Sequence, residues 1–163
     1  MLGLRLVHLI EGHSEELAQE LTRQLRESER TREFRKIPPE ELHRAVIEVY
    51  RNLGEWLLQK SEADIGERFR AIAARRASQG VPLSEFVWAL VISRNHLWHF
   101  LQREAFVDNI VELFGELELQ KMLNQFFDRA VYFAILGYEG TEERDANSSP
   151  DKERLAVGTA RPA

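Results

Sequence analysis

Two histidines one helical turn apart, His96 and His99, form the first spacing in this sequence that could do chemistry. Residues three apart share a helix face, so His96-x-x-His99 has a geometry that could chelate a metal ion. No third or fourth ligand accompanies the pair. Glu40-x-x-His43 is one copy of an element that di-iron helical bundles use twice, together with two further glutamates, and only one copy is present. We therefore expect no metal, with His43 and His99 as solvated helix residues. His96 differs, because it follows Trp88 and Ile92 at steps of eight and four and should share their apolar face. A buried histidine can ligate haem iron, yet a lone one on such a face is more often a hydrogen-bonded core residue. No cofactor is expected.

Arg94 is the least comfortable residue in the chain. Its spacing puts it on a face with Val87, Leu90, Leu97 and Leu101, which would bury it. A buried guanidinium demands a partner, and Asp108 and Asp128 are the candidates. Alternatively it snorkels at the rim of the core. A functional reading makes Arg94 an anion or ligand anchor in an interhelical pocket bordered by Trp88, His96 and Trp98.

Other chemistry is harder to place. A serine nucleophile needs a base and a sharply turned, exposed position, and no Gly-x-Ser-x-Gly occurs. There is no phosphate-cradling glycine loop and no dinucleotide fingerprint. Cysteine is absent, which removes disulfides, thiol nucleophiles and Cys-ligated zinc together. The net charge of −5 argues against a nucleic-acid binder, whose surface would be basic. We expect no enzyme.

The elements that would carry these residues read as helices throughout. Prolines at 38, 39, 82, 150 and 162 leave long proline-free blocks. The N-terminal run Leu2 to Ile10 meets Glu11, His13, Glu15 and Glu16 too soon for a signal peptide, and starts a helix instead. Ile10, Leu17, Leu21 and Leu25 continue one apolar stripe. Charged residues 28–36 lead to a break at Ile37-Pro38-Pro39. Pro39-Glu40-Glu41 suits a helix N-terminus, and its stripe runs through Leu42, Val46, Val49, Leu53, Trp56 and Leu57. A kink or turn is expected near Ser61 to Asp64. The next helix carries Ile65, Phe69, Ile72 and Ala73 and ends with Gly80 as a C-cap. Leu83 to about Glu104 is apolar on every side at its start, so it should be central. Asp108 to about Tyr138 is the longest pattern, with Gly115 marking a bend or a split. No window approaches the roughly 18 apolar residues of a membrane span. We expect an all-α bundle of about five helices over residues 1–140, and a disordered polar tail over 141–163.

The order of these elements resembles a known family. An acidic leading helix is followed by one ending in an aromatic, Trp56, then by Arg75-Arg76-Ala77-Ser78-Gln79-Gly80-Val81-Pro82-Leu83-Ser84-Glu85-Phe86 and a long helix containing Trp98. The chain is similar, over roughly residues 8–138, to the N-terminal sensor domain of RsbR-type stressosome proteins, also found ahead of bacterial histidine kinases. The segment Arg76 to Leu83 carries most of the likeness. The resemblance implies a compact helical bundle, globin-like but without haem in related members, which receives a signal or partner and passes it to an output domain. The sequence departs from that pattern after Tyr138, where no output domain follows. It is therefore expected either to act by association or to be part of a longer protein.

These readings converge on a non-catalytic bacterial signalling or sensor-like module in the cytoplasm, acting through protein partners. The alternative is a small-ligand or haem-binding globin-like protein, and a third reading is an adaptor without a ligand. A homodimer is expected as well. Phe126 to Leu136 and the run Leu2 to Ile10 look apolar over nearly their whole circumference, more than one small core should absorb. Leu6, Ile10, Tyr132 and Leu136 are the expected interface residues.

Overall fold

The computed structural model describes residues 2–104 and 109–148. Within them the chain forms seven α-helices and one 3-10 helix, and no strand. They are α1 (Leu4–Gly12), α2 (Ser14–Glu27), the 3-10 helix (Glu29–Lys36), α3 (Pro39–Arg51), α4 (Leu53–Leu58), α5 (Glu62–Ser78), α6 (Leu83–Glu104) and α7 (Ile110–Ser148).

The all-helical expectation holds, and three differences have local causes. The first expected helix is divided at His13, where the backbone leaves helical geometry after Gly12 and the ring Nδ1 lies 2.8 Å from the Leu9 carbonyl. The second is divided at Asn52, whose side-chain amide donates to the Glu48 carbonyl. Residues 28–36 coil rather than merely connect. Thr31 and Phe34 are buried there, and the Thr31 hydroxyl donates to the Leu25 carbonyl at 2.7 Å. At Ser61 the expected turn is a reciprocal cap: the Ser61 hydroxyl accepts from the Asp64 amide, and the Asp64 carboxylate accepts from Ser61.

The last helix is neither split at Gly115 nor finished near Gly140. It runs as one element of 39 residues, about 58 Å at 1.5 Å per residue. Gly115 is a contact rather than a bend, because a Cβ there would come within 2.8 Å of the Leu2 carbonyl oxygen. Residues 141–148 are helical and so do not belong to a tail; Thr141, Glu142, Glu143 and Arg144 offer nothing that breaks a helix. Residues 149–163 of the expected tail lie outside the described residues.

The most extensive packing is between α5 and α7. Small residues let the two backbones approach. A Cβ at Gly66 would sit 2.8 Å from the Phe133 ring, and one at Gly137 would sit 2.8 Å from the Arg70 carbonyl and 2.9 Å from the Ala73 Cβ. Ala73, Ala130 and Ala134 are fully buried along the same seam. Beside it Phe126 gathers Phe69, Trp56 and Phe127 at centroid distances of 5.6, 6.3 and 5.5 Å, mostly edge to face. α2 and α3 pack together and, with α6, enclose the other side of the core.

Candidate functional site

The end of α5 is where the fold concentrates polar chemistry. Gly80, the only residue at positive φ (+80°) among the described residues, reverses the chain after Ser78. Its amide donates to the Ala77 carbonyl, and the Val81 amide donates to the Arg76 carbonyl. These paired bonds close the helix as a Schellman motif, with Val81 buried behind them. Pro82 then begins α6, its carbonyl accepting from the Glu85 and Phe86 amides. From α7, the Tyr138 hydroxyl donates to the Val81 carbonyl at 2.8 Å. The Glu85 carboxylate accepts from the Glu33 amide at 2.9 Å and ties in the 3-10 helix.

This turn presents Arg76 inward. The side chain is 4% exposed, and its Nη1 donates to Glu41 Oε1 and to Gln79 Oε1, both at 2.8 Å. The Gln79 amide donates to both Glu41 oxygens at 3.0 and 3.1 Å, and Arg75 Nε reaches Glu41 from outside at 3.1 Å. One carboxylate on α3 thus holds two side chains of α5 and that of Gln79 just beyond its end. The Arg75 hydrogen bond, then those of Arg76 and Gln79, holds the Glu41 carboxyl down to about 2 although partial burial opposes it. A carboxylate so occupied accepts protons poorly, and the group acts as a fixed clamp between α3 and α5.

Beneath the clamp lies a cavity of about 90 Å³ where α2, α3, α5, α6 and α7 converge. Its walls are apolar except at Arg76, Ser93 and Tyr50. Tyr50 is 3% exposed, and among the described residues its hydroxyl has no hydrogen-bond partner. Burial pushes the phenol far above its ordinary value, so it stays a neutral hydroxyl.

The four residues expected to share a ligand pocket do not line this cavity and are divided among separate environments. His96 is buried, as its spacing implies, and its Nε2 lies 3.1 Å from Glu20 Oε2 on α2. Burial lowers its basicity, and the Glu20 carboxylate only partly offsets that. The ring therefore serves as a core residue hydrogen-bonded through Nε2, while its Nδ1 has no partner among the described residues. Trp88 is half-buried under the Arg30 guanidinium, 4.5 Å from the ring centroid. Arg94 and Trp98 are half-buried on α6. Among the described residues Arg94 has no ion pair; Asp128 is exposed on α7, and Asp108 lies outside the described residues. His43 approaches Glu15 at 2.9 Å, across the α2–α3 junction.

The expected interface also divides. Leu6 is 5% exposed and Ile10 fully buried, so both belong to the core and neither is available to a partner. Tyr132 is exposed and Leu136 half-buried. The larger apolar surface is at the other end of α7: Ile110, Val111, Leu113, Phe114 and Leu117 are exposed, as are Leu2 and Leu4 beside them. Leu2, Phe114 and Leu117 line a shallow depression with Glu118 and Lys121. The N-terminus is held there by the Leu2 amide, which donates to Glu118 Oε2 at 2.9 Å, and by the Arg5–Glu112 ion pair.

Sequence reasoning found the turn at Gly80 but missed the clamp. Its signal was available: Glu41 in a first helical turn, and two arginines with a glutamine in a last one. It missed Tyr50 because nothing in a helical stripe distinguishes a satisfied tyrosine from an unsatisfied one.

Against known proteins, the family model described as the RsbT co-antagonist protein rsbRD N-terminal domain matches residues 15–149. No curated protein and no solved structure matches the chain. No helix among the described residues is long and apolar enough to cross a membrane.

Proposed function

This chain belongs to the RsbT co-antagonist protein rsbRD N-terminal domain family, and we propose that it is a non-catalytic, sensor-like regulatory module that acts through association with other proteins in a bacterial cytoplasm. The observation that carries this reading is the extent of the family match, which spans α2 to the end of α7 and so takes in the clamp, the cavity and the α5–α7 seam. A family named for a co-antagonist of a protein supports a protein as the thing acted upon. The side chains gathered at the clamp support it too: each is engaged by another, and none is poised as a nucleophile or base.

The association surface we propose is the first two turns of α7 with Leu2 and Leu4, and its first partner a second copy of the chain. Ile110, Phe114 and Leu117 recur at steps of four and three, which gives one exposed apolar stripe. A two-fold contact would cover that stripe on both copies at once. The test is light scattering on the full chain at micromolar concentration. A mass of twice 19.0 kDa supports the reading. A monomer that also recovers no stoichiometric protein from an extract of its native cells would overturn it.

A further inference from the structure

The cavity at the meeting point of α2, α3, α5, α6 and α7 is the place where this tightly packed core stops being full. Val46, Val49, Phe69, Leu90 and Phe126 give it apolar walls. Alanines at 45 and 89 border it, and larger side chains at either position would close it.

Three polar side chains reach the wall, and two are already committed. The Arg76 guanidinium is held by Glu41 and Gln79, and the Ser93 hydroxyl donates to the Ala89 carbonyl at 2.7 Å. Only Tyr50 has its polar atom unused, in a residue 97% withdrawn from solvent. Buried hydroxyls are satisfied in native proteins as a rule, and an orphan one lowers stability until something accepts its proton. A neutral, unpartnered phenol among apolar walls calls for an acceptor whose remaining surface is apolar.

Size narrows the class. A dry cavity of about 150 Å³ takes the six carbons of benzene, so about 90 Å³ takes roughly four non-hydrogen atoms. Charge narrows it further. An anion would find the one nearby guanidinium neutralised by Glu41, and a cation would find only hydrocarbon and aromatic edges.

We propose that this cavity is a binding site for a small uncharged carbonyl compound, whose oxygen accepts the Tyr50 hydroxyl proton and whose short alkyl groups fill the apolar remainder. This deepens the sensor-like reading by naming the chemical class of the signal. Occupation would fasten Tyr50, and with it α3, to the helices on the far side of the cavity, two turns along from the clamp residue Glu41.

The test uses the full chain and two probes of equal shape, acetone and isobutene. Only acetone carries an acceptor oxygen, and because it is also better hydrated, the reading is the ratio of the two affinities with and without the Tyr50 hydroxyl. Each is titrated while the methyl resonances of Val46, Val49 and Leu90 are followed by NMR. Both probes should shift these resonances saturably, each with its own affinity in the unaltered chain. Tyr50→Phe should lower the acetone-to-isobutene affinity ratio about fivefold, the size expected of one neutral hydrogen bond, while retaining isobutene binding, and Ala89→Leu should abolish both. An acetone-to-isobutene affinity ratio that Tyr50→Phe leaves unchanged would overturn the carbonyl assignment. Absence of saturable shifts with either probe would overturn the site itself. So would acetone binding that persists in a folded Ala89→Leu chain. Because these readouts are independent of molecular mass, failure here leaves the association reading standing, and a monomeric chain leaves this one standing.

Discussion

Along α7, residues 126–138 and residues 110–117 both carry a high density of large apolar side chains, but α5 covers the first stretch and the second faces outward. What separates them is the small residues between the large ones. Ala130, Ala134 and Gly137 lie on one face at steps of four and three; Gly137 meets Ala73 and the Arg70 backbone of α5 at close range, and Gly66 of α5 receives the Phe133 ring. With the backbones that near, Phe126, Phe127 and Phe133 find neighbours on α5 and beside it. Near the start of the helix the only such residue is Gly115, and it receives the Leu2 backbone rather than another helix. Apolar density shows that a helix has something to cover; small residues at helical spacing show where another helix covers it.

The strongest way to break this contrast is at its closest point. Gly137→Ala improves intrinsic helix propensity, yet its new methyl would fall 2.8 Å from the Arg70 carbonyl oxygen. Overpacking against backbone should outweigh propensity, for a net loss of about 3 kcal/mol, read as a fall in thermal midpoint. Three residues on, Gly140 has nothing within 4 Å of a Cβ, so Gly140→Ala should stabilise by about 0.7 kcal/mol. If both glycines respond alike, the seam is not what closes this end.

The clamp should give the next largest effect, because it fixes the end of α5 that α7 packs against. Glu41→Gln leaves the Arg76 guanidinium buried with Gln79 as its remaining partner, which should destabilise the chain by about 2 kcal/mol. The pH dependence follows from the lowered Glu41 value. A carboxyl depressed from 4.5 to about 2 on folding contributes stability that is complete above about pH 4.5 and is lost as pH falls toward 2. Acid unfolding monitored by circular dichroism should therefore be shallower in Glu41→Gln across that window. An unchanged acid limb would show that the Arg75 and Arg76 contacts are not formed in solution.

Tyr138 belongs to the same closed end and should matter less. Tyr138→Phe keeps the ring against Phe86, at 5.9 Å between centroids, but removes the donor to the Val81 carbonyl. About 1 kcal/mol of stability should be lost in chemical denaturation, with no change in the slope of the transition. A neutral outcome would mean that water replaces the hydroxyl, and the Gly80 turn would then be less tightly docked on α7 than the hydrogen bond implies.

Much of this was legible in the sequence. Proline and glycine punctuation placed α3, α5 and α6 correctly, because Pro39, Gly80 and Pro82 act through backbone geometry that tertiary contacts do not alter. The breaks at His13 and Asn52 were hidden, since an amphipathic stripe passes through a bend unchanged if both halves still face one core. The expected ligand residues are spread over separate environments for a related reason. Spacing correctly put His96 inside, but it could not say that Glu20, seventy-six positions away, would meet it there. Leu6 and Ile10, expected at an interface, lie in the core because α1 packs against α7 and α4, contacts that an apolar run does not reveal.

The open end of α7 is tested by a substitution that should barely affect stability. Phe114 is 55% exposed and sits centrally in the stripe with Ile110 and Leu117. A glutamate there replaces apolar surface that already faces water, so the isolated subunit should change by no more than about 0.5 kcal/mol. In a two-fold contact the same substitution places two carboxylates near one axis, where each opposes the other and neither is well hydrated. Phe114→Glu should therefore convert a dimer to a 19.0 kDa monomer in light scattering while the thermal midpoint measured at low concentration stays put. Tyr132→Glu is the matched control, since Tyr132 is comparably exposed but lies beside the closed seam and packs on Phe133 at 5.2 Å between centroids. It should leave the mass unaltered. If instead Tyr132→Glu dissociates the dimer and Phe114→Glu does not, the association surface lies at the α5-covered end, and exposed apolar area on α7 is a poor guide to where this protein meets its partners.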